Sequence, residues 1–355
     1  MNRKTKKTVY KVVRETIFYL FVTALIGGML LPVYFIISLS FLSTREAYQY
    51  PLPLVPALQT KFELAYGKRG YLLSVYDRVD KEYQTVLDTK EVEKMEVYIQ
   101  SQLGSRITSE EVLEEMNRLD ASGEESIFFT KPRALLYNYD TFFKVTRDAV
   151  PALLRSLQIA GLTILISISI GGLAGYAFAR YVFKGKDALK FSVLFVRMFP
   201  GVAIALPMVF ILAEANLYDE PLGLSLIYSV GAIGLTIWIT ASIFMGIPES
   251  LEQAAQVFGA TKFQAFMRIT FPLALPGLAA SAMYTFLGAW NETVAAIILT
   301  QFKPTFSVVV YQTLLGASGQ VNLAAAGGIA MALPAVFFTF FIRRYINQMW
   351  GGVTV

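Results

Sequence analysis

Six apolar stretches, at 17–42, 152–179, 188–213, 223–246, 276–299 and 322–342, each reach the roughly 20 helical residues that cross a hydrocarbon core of about 30 Å. A lipid-embedded backbone has to satisfy its own hydrogen bonds, and stretches of this length do so as helices. The composition agrees, with 55% hydrophobic residues, only 16% charged and a mean hydropathy of +0.51. The predicted class is therefore an all-α integral membrane protein of six transmembrane helices, with a small α+β lobe inserted between helices 1 and 2.

Charge sets the orientation. Arg3, Lys4, Lys6, Lys7, Lys11 and Arg14 precede the first span, Arg180, Lys184, Lys186 and Lys190 separate the second from the third, and Lys262, Arg268, Arg343 and Arg344 fall on the same side. By the positive-inside rule that side is cytoplasmic, together with both termini. The short opposite loops carry Glu214, Asp219 and Glu220 but only one base, Lys303. A cleaved signal peptide is the alternative for the first span. Its apolar core is too long for one, and no Ala-x-Ala-like site follows it. Cysteine is absent, so no disulfide enters the fold and the redox compartment is undetermined.

Residues 45–149 hold 18 of the 26 acidic residues and 14 of the 31 basic ones, a net charge of −4 against +9 for the remainder. This split marks a separate solvated lobe outside the cell, reached through the stiff Pro-rich segment at 50–56. Alternation in Phe62, Leu64 and Tyr66, then Gly67 to Gly70, then Tyr71, Leu73 and Val75 predicts a hairpin. Helices are predicted over 91–103 and 109–119, the second started by Thr108 and Glu111 at capping-box spacing.

Between the fourth and fifth spans lies a polar segment, 248–276, with two short amphipathic helices. Pro248 fits the start of the first, and Leu251, Ala254, Ala255 and Phe258 recur at i, i+3, i+4, i+7. Gly259 stops it, with φ > 0 expected. Thr261 and Gln264 start the second helix, which carries Phe263, Phe266, Met267 and Ile269 and is expected to end at Pro272. Helices of about ten residues are unstable alone in water, so this segment requires a partner surface.

The segment resembles the EAA loop of ABC-importer permeases, with Ala254, Ala255, Gly259, Ile269 and Pro272 at the pattern's spacings. It departs at Gln253, where the pattern has Glu and Glu252 stands as a substitute, at Phe271 for Leu, and at Phe258, where many sugar permeases have Asp. Further stretches resemble the MalG-type subunit of carbohydrate importers: Asn138-Tyr139, Arg155-Ser156-Leu157, Gly175 to Arg180, Phe183 to Lys186, Met198 to Pro200, Ile247-Pro248, Ala289 to Glu292, and the ending Gly351-Gly352-Val353. The lobe at about 60–132 has no counterpart in that pattern.

The resemblance implies a type I importer permease fold divided into 1–44 (N-terminus and first span), 45–149 (extracytoplasmic lobe), 150–345 (five-helix core with the loop) and 346–355 (cytoplasmic tail). It implies that the loop docks on a cytoplasmic ATPase through Glu252, Gln253, Ala254, Ala255, Gly259, Phe263, Phe266, Ile269 and Pro272. The implied assembly contains two ATP-binding cassette subunits, a second MalF-like permease and an extracytoplasmic sugar-binding protein. The segment Gln301 to Gln320, with Ala317, Ser318 and Gly319, would contact that binding protein.

Histidine and cysteine are absent, as is any phosphate-cradling Gly-x-x-x-x-Gly-Lys loop. The expectation is a transport subunit without catalysis of its own, binding no cofactor, with ATP and magnesium held by its partners. Its excess bases lie at membrane edges, so nucleic acid is not an expected partner. Arg197 in the third span, near Pro200, Gly201 and Pro207, and Glu292 in the fifth, beside Trp290 and Asn291, serve either as a translocation-pathway wall or as interhelix contacts. Gly171, Gly172 and Gly175, and the small residues 324–328, allow close helix packing. An importer of another solute, such as a glycerol phosphodiester or polyamine, remains a second reading, and a membrane-anchored receptor or structural protein a third.

Overall fold

α1 (Arg3–Phe41) is one long helix, and Ser43 caps the short α2 (Thr44–Ala47) by a reciprocal hydrogen bond with Glu46. This is a computed structural model describing residues 3–146, 148–316 and 319–350. Ala317, Ser318 and the tail 351–355 lie outside the described residues, as do the side chains of Arg3, Lys4, Lys6, Lys7 and Arg344.

The chain divides into two units, Met1–Val145 with Thr313–Ile329, and Thr146–Gln312 with Ala330–Val355. In the first, β1 (Gln59–Tyr66), β2 (Tyr71–Tyr76), β3 (Tyr83–Thr89), α3 (Val92–Leu103), α4 (Ser109–Ser122) and β4 (Ser126–Pro132) follow in order. The strands form an antiparallel sheet in the order β3-β2-β1-β4. Period-two alternation sends Phe62, Leu64, Leu73, Val75, Ile127 and Phe129 to one face, where Met95, Ile99, Val112, Met116 and Leu119 close a buried core. Phe62 stacks on its cross-strand neighbour Phe129 at 4.9 Å. α5 (Tyr137–Val145) follows, and its buried Asn138 donates to the carbonyls of Ser40 and Leu42, each at 2.8 Å.

The second unit is helical. It contains α6 (Ala149–Arg180), α7 (Lys186–Val196), α8 (Gly201–Glu214), α9 (Pro221–Gly246), α10 (Glu249–Val257), α11 (Lys262–Ala265), a π-helical turn Phe266–Thr270, α12 (Phe271–Asn291) and α13 (Val294–Leu299). The residues of α14 (Phe306–Leu315) and of α15 (Val321–Trp350) are each divided between the two units. α6 and α9 lie close, with Gly171 against Thr236 and Gly175 against Thr240.

Among the described residues, five helical segments are long and apolar enough to cross a membrane: Lys11–Phe41, Ala149–Arg180, Pro221–Gly246, Lys262–Asn291 and Val321–Arg343. The third stretch is not a continuous helix. α7 and α8 meet at 85°, because Pro200 lacks an N–H and disfavours helix at Phe199. Pro207, by contrast, sits inside α8 without ending it. The fifth span is also shifted from 276–299. It ends at Asn291, where the Glu292 carboxylate accepts from the Ala295 N–H at 2.9 Å and opens α13.

Nor does Pro272 end a helix. The Phe271 N–H reaches back to the Phe266 carbonyl, a five-residue step that widens the turn. Pro272 then falls in the first turn of α12, where its missing N–H costs little, and the helical path runs from Lys262 to Asn291.

Candidate functional site

The segment from Pro248 to the π turn forms a helical hairpin. Gly259 turns it with φ +90°, a left-handed conformation that side chains bearing Cβ resist. Thr261 opens α11, its hydroxyl accepting from the Gln264 N–H at 3.2 Å while Gln264 Oε1 accepts from the Thr261 N–H at 2.9 Å.

A surface helix ordinarily buries its apolar stripe and exposes its charges. α10 does the reverse. Its only buried residue is Glu252, while Leu251, Gln253, Ala254, Val257 and the C-cap Phe258 are exposed. Val257 and Phe258 are 84% and 90% exposed, and Phe263 on α11 is 67% exposed.

The inward carboxylate is fully engaged. Glu252 Oε1 accepts from Arg180 Nε at 2.8 Å and from Thr270 Oγ1 at 2.7 Å, and Oε2 accepts from the Tyr176 hydroxyl at 2.7 Å. Arg180 also donates to the carbonyls of Phe244 and Ile247 at the C-terminal end of α9, at 2.8 and 3.1 Å. Glu252 and Arg180 are both 7% exposed in their side chains. Burial pushes the Glu252 carboxyl up, but hydrogen bonds from Tyr176, Thr270 and Arg180, with the Arg180 charge, outweigh it and hold the group below its usual range. An apolar layer of Tyr176, Phe244, Phe266 and Phe271 packs beside this cluster, with Tyr176 and Phe266 rings 4.5 Å apart.

Two residues expected to face a partner therefore face inward. Glu252 is an internal anchor, because its carboxylate finds three donors within the chain. Phe266 is buried, because its ring packs among Tyr176, Phe244 and Phe271. Ala255 and Ile269 are half-buried, whereas Gln253, Ala254, Gly259, Phe263 and Pro272 are exposed. Thr270 had no assigned role in the sequence, and Tyr176 and Arg180 entered only through the resemblance and, for Arg180, as a base at the membrane edge. The only signal was the apolar spacing of α10, which leaves Glu252 on the face opposite Val257 and Phe258.

Within the same unit, a cavity of about 270 Å³ is lined by Thr163, Arg197, Tyr228, Ser281, Thr285 and Glu292, among others. The Tyr228 hydroxyl is buried and has no hydrogen-bond partner among the described residues. Arg197 and Glu292 are thus brought to one cavity, but Trp290 and Asn291 are not. Trp290 is buried, stacks on Phe286 at 5.4 Å and donates to the Met331 carbonyl at 2.9 Å, so its ring is committed to packing. In the first unit, Gly319 accepts a hydrogen bond from the Tyr48 hydroxyl.

The chain belongs to the family of binding-protein-dependent transport system inner membrane components, which matches residues 159–350. It is 35% identical over 206 residues to the trehalose transport system permease protein SugB of Mycobacterium tuberculosis (strain CDC 1551 / Oshkosh), covering 57% of this chain and 75% of that one. It is 32% identical over 204 residues to the maltodextrin transport system permease protein MalD of Streptococcus pneumoniae (strain ATCC BAA-255 / R6), covering 56% and 72%. Among solved structures, a bacterial alginate ABC transporter in complex with an alginate pentasaccharide-bound periplasmic protein has 20% identity and a TM-score of 0.48, covering 60% of this chain and 82% of that chain. The chain is a membrane-spanning permease with a helical fold and several apolar helices.

Proposed function

We propose that this permease imports a sugar, driven by ATP hydrolysed on two separate cassette subunits, with a second, MalF-like permease and an extracytoplasmic sugar-binding protein completing the complex. It lies in the cytoplasmic membrane with six spans, counting α7 and α8 as one broken span. Both termini are cytoplasmic, and the 59–132 lobe is extracytoplasmic. The observation that carries the reading is the hairpin of α10 and α11, which turns Val257, Phe258 and Phe263 outward. Exposed apolar side chains on helices this short need a partner. ATP-driven closure of the cassette dimer would move the docked hairpin, and the hairpin moves the ends of α6 and α9.

The sugar assignment rests on the kinship with trehalose and maltodextrin permeases. The chamber at Arg197, Tyr228 and Glu292 suits a hydroxyl-rich solute, since it offers a cation, a carboxylate and a free hydroxyl among small residues. The segment around Gly319 is proposed to meet the binding protein. The test is uptake into proteoliposomes containing this chain, its partner permease and the cassette subunits, with ATP inside and the binding protein outside. Sugar accumulation that requires both ATP and binding protein is the expected result. Uptake of a phosphodiester or polyamine instead would replace the solute, and no ATP dependence would remove the importer reading.

A further inference from the structure

We infer that Glu252 is a positioning residue: by binding α6 and the π turn directly, and α9 through Arg180, it joins the hairpin helix α10 rigidly to the C-terminal ends of α6 and α9. The inference rests on the coupling role proposed above and adds how motion crosses the loop. α9 ends at Gly246 and α10 begins at Glu249, so only Ile247 and Pro248 connect them. In that linker Ile247 packs on the cluster of Phe244 and Phe266, and Pro248 fixes only its own φ. No apolar side chain of α10 is buried to fix the angle between the helices, since Glu252 alone points inward.

The carboxylate supplies the missing constraint. Arg180 closes α6, Thr270 ends the π turn that leads into α12, and Tyr176 lies one turn back on α6. Arg180 simultaneously holds the last carbonyls of α9, so one planar guanidinium spans the joint between α9 and α10. Lysine, with a single ammonium, cannot make this fork. Movement of a partner seated on Val257 and Phe258 is then delivered to α6, α9 and α12 together instead of being absorbed at Pro248.

A buried ion pair contributes little to net stability, and replacing both members with apolar residues is often tolerated. That separates positioning from mere folding. The chain has no cysteine, so spin labels at Gln253→Cys on α10 and Tyr181→Cys beside α6 report one distance. In the purified permease this distance should be narrowly distributed. It should broaden in the double variant Arg180→Met/Glu252→Leu, with the melting midpoint kept near the parental value. In the assembled unlabelled complex the same pair should retain the cassette subunits, while hydrolysis stimulated by loaded binding protein falls about tenfold. Tyr176→Phe/Thr270→Val removes two hydrogen bonds without touching charge, and should give the same broadening and a smaller loss even if the first pair folds poorly. Arg180→Lys should fail to restore the narrow distribution. Parental width and parental stimulated turnover in Tyr176→Phe/Thr270→Val, or in a folded Arg180→Met/Glu252→Leu, would overturn the inference. A parental chain that recruits no cassette subunit would instead remove the coupling role, and the distance measurement would still decide the rigidity of the joint.

Discussion

At Gly175 a Cβ would lie 2.0 Å from Thr240 Oγ1 and 2.9 Å from the Ala241 nitrogen, so α6 and α9 approach as only glycine permits. Gly161, on the same helix, has nothing within 4 Å. Gly175→Ala should therefore destabilise the purified permease by about 1–3 kcal/mol, the scale of overpacking. Gly161→Ala should be neutral or stabilising by up to about 1 kcal/mol, through helix propensity. Thermal unfolding of both variants in detergent checks the pair. Phe263 and Phe266 divide in the same way. Phe266→Ala should cost about 3–5 kcal/mol of stability as a core truncation. Phe263→Ala should leave the melt unchanged and weaken binding of the cassette subunit by about 2 kcal/mol, some thirtyfold. The spacing of these two rings did not separate them, because both fit an amphipathic helix. What parts them is the packing of Phe266 on Tyr176 of α6 and Phe244 of α9, a tertiary contact. The inward role of Glu252 was equally hidden, since two of its three partners lie 72 and 76 residues away and the resemblance pointed it toward an ATPase instead.

Elements whose signals are local were legible. The Thr108 and Thr261 capping boxes both form, and Gly259 takes the positive φ expected of it. With nothing within 4 Å of a Cβ at Gly259, the penalty for substitution there is conformational and not steric. Gly259→Asn should accordingly keep most coupling activity, because Asn tolerates the left-handed region. Gly259→Val should lose most of it, at a backbone cost of about 1–2 kcal/mol or more. Stimulated ATP hydrolysis across the two variants, ranked glycine, asparagine, valine, is the check, and equal activity would place the turn outside the coupling path. Elements whose ends are set by tertiary contacts were misplaced. Pro200 marked a break but not its 85° angle, and the end of α12 coincides with the Glu292 carboxylate accepting from the Ala295 N–H, which hydropathy does not register.

For the whole molecule, hydropathy located most of the long helices, and the acidic balance of residues 45–149 marked a segment of different character. The hairpin of β1 and β2 was readable from alternation. β3 and β4 were not: β3 pairs through a register shift between Leu73 and Ser74, and Ile127, Phe128 and Phe129 of β4 form a continuous apolar run although Phe128 is exposed. Their core, centred on Phe62 and Phe129, is closed by α3 and α4 from within the same segment. Residues 57–134 expressed alone should thus unfold cooperatively with mixed sheet and helix circular dichroism, and a featureless unfolded spectrum would show that the segment needs the rest of the chain.

Coupling to a separate ATPase through the hairpin is most directly tested by cross-linking in the cysteine-free chain. Single cysteines at Val257, Phe258 and Phe263, and at the buried Phe266 as a control, are introduced into the assembled complex together with a bifunctional thiol reagent. The first three should cross-link to the cassette subunit, with yields that change between ATP-bound and nucleotide-free states, and Phe266→Cys should not. A transport-competent complex in which none of the three exposed positions reaches the cassette subunit in either state would contradict the coupling role.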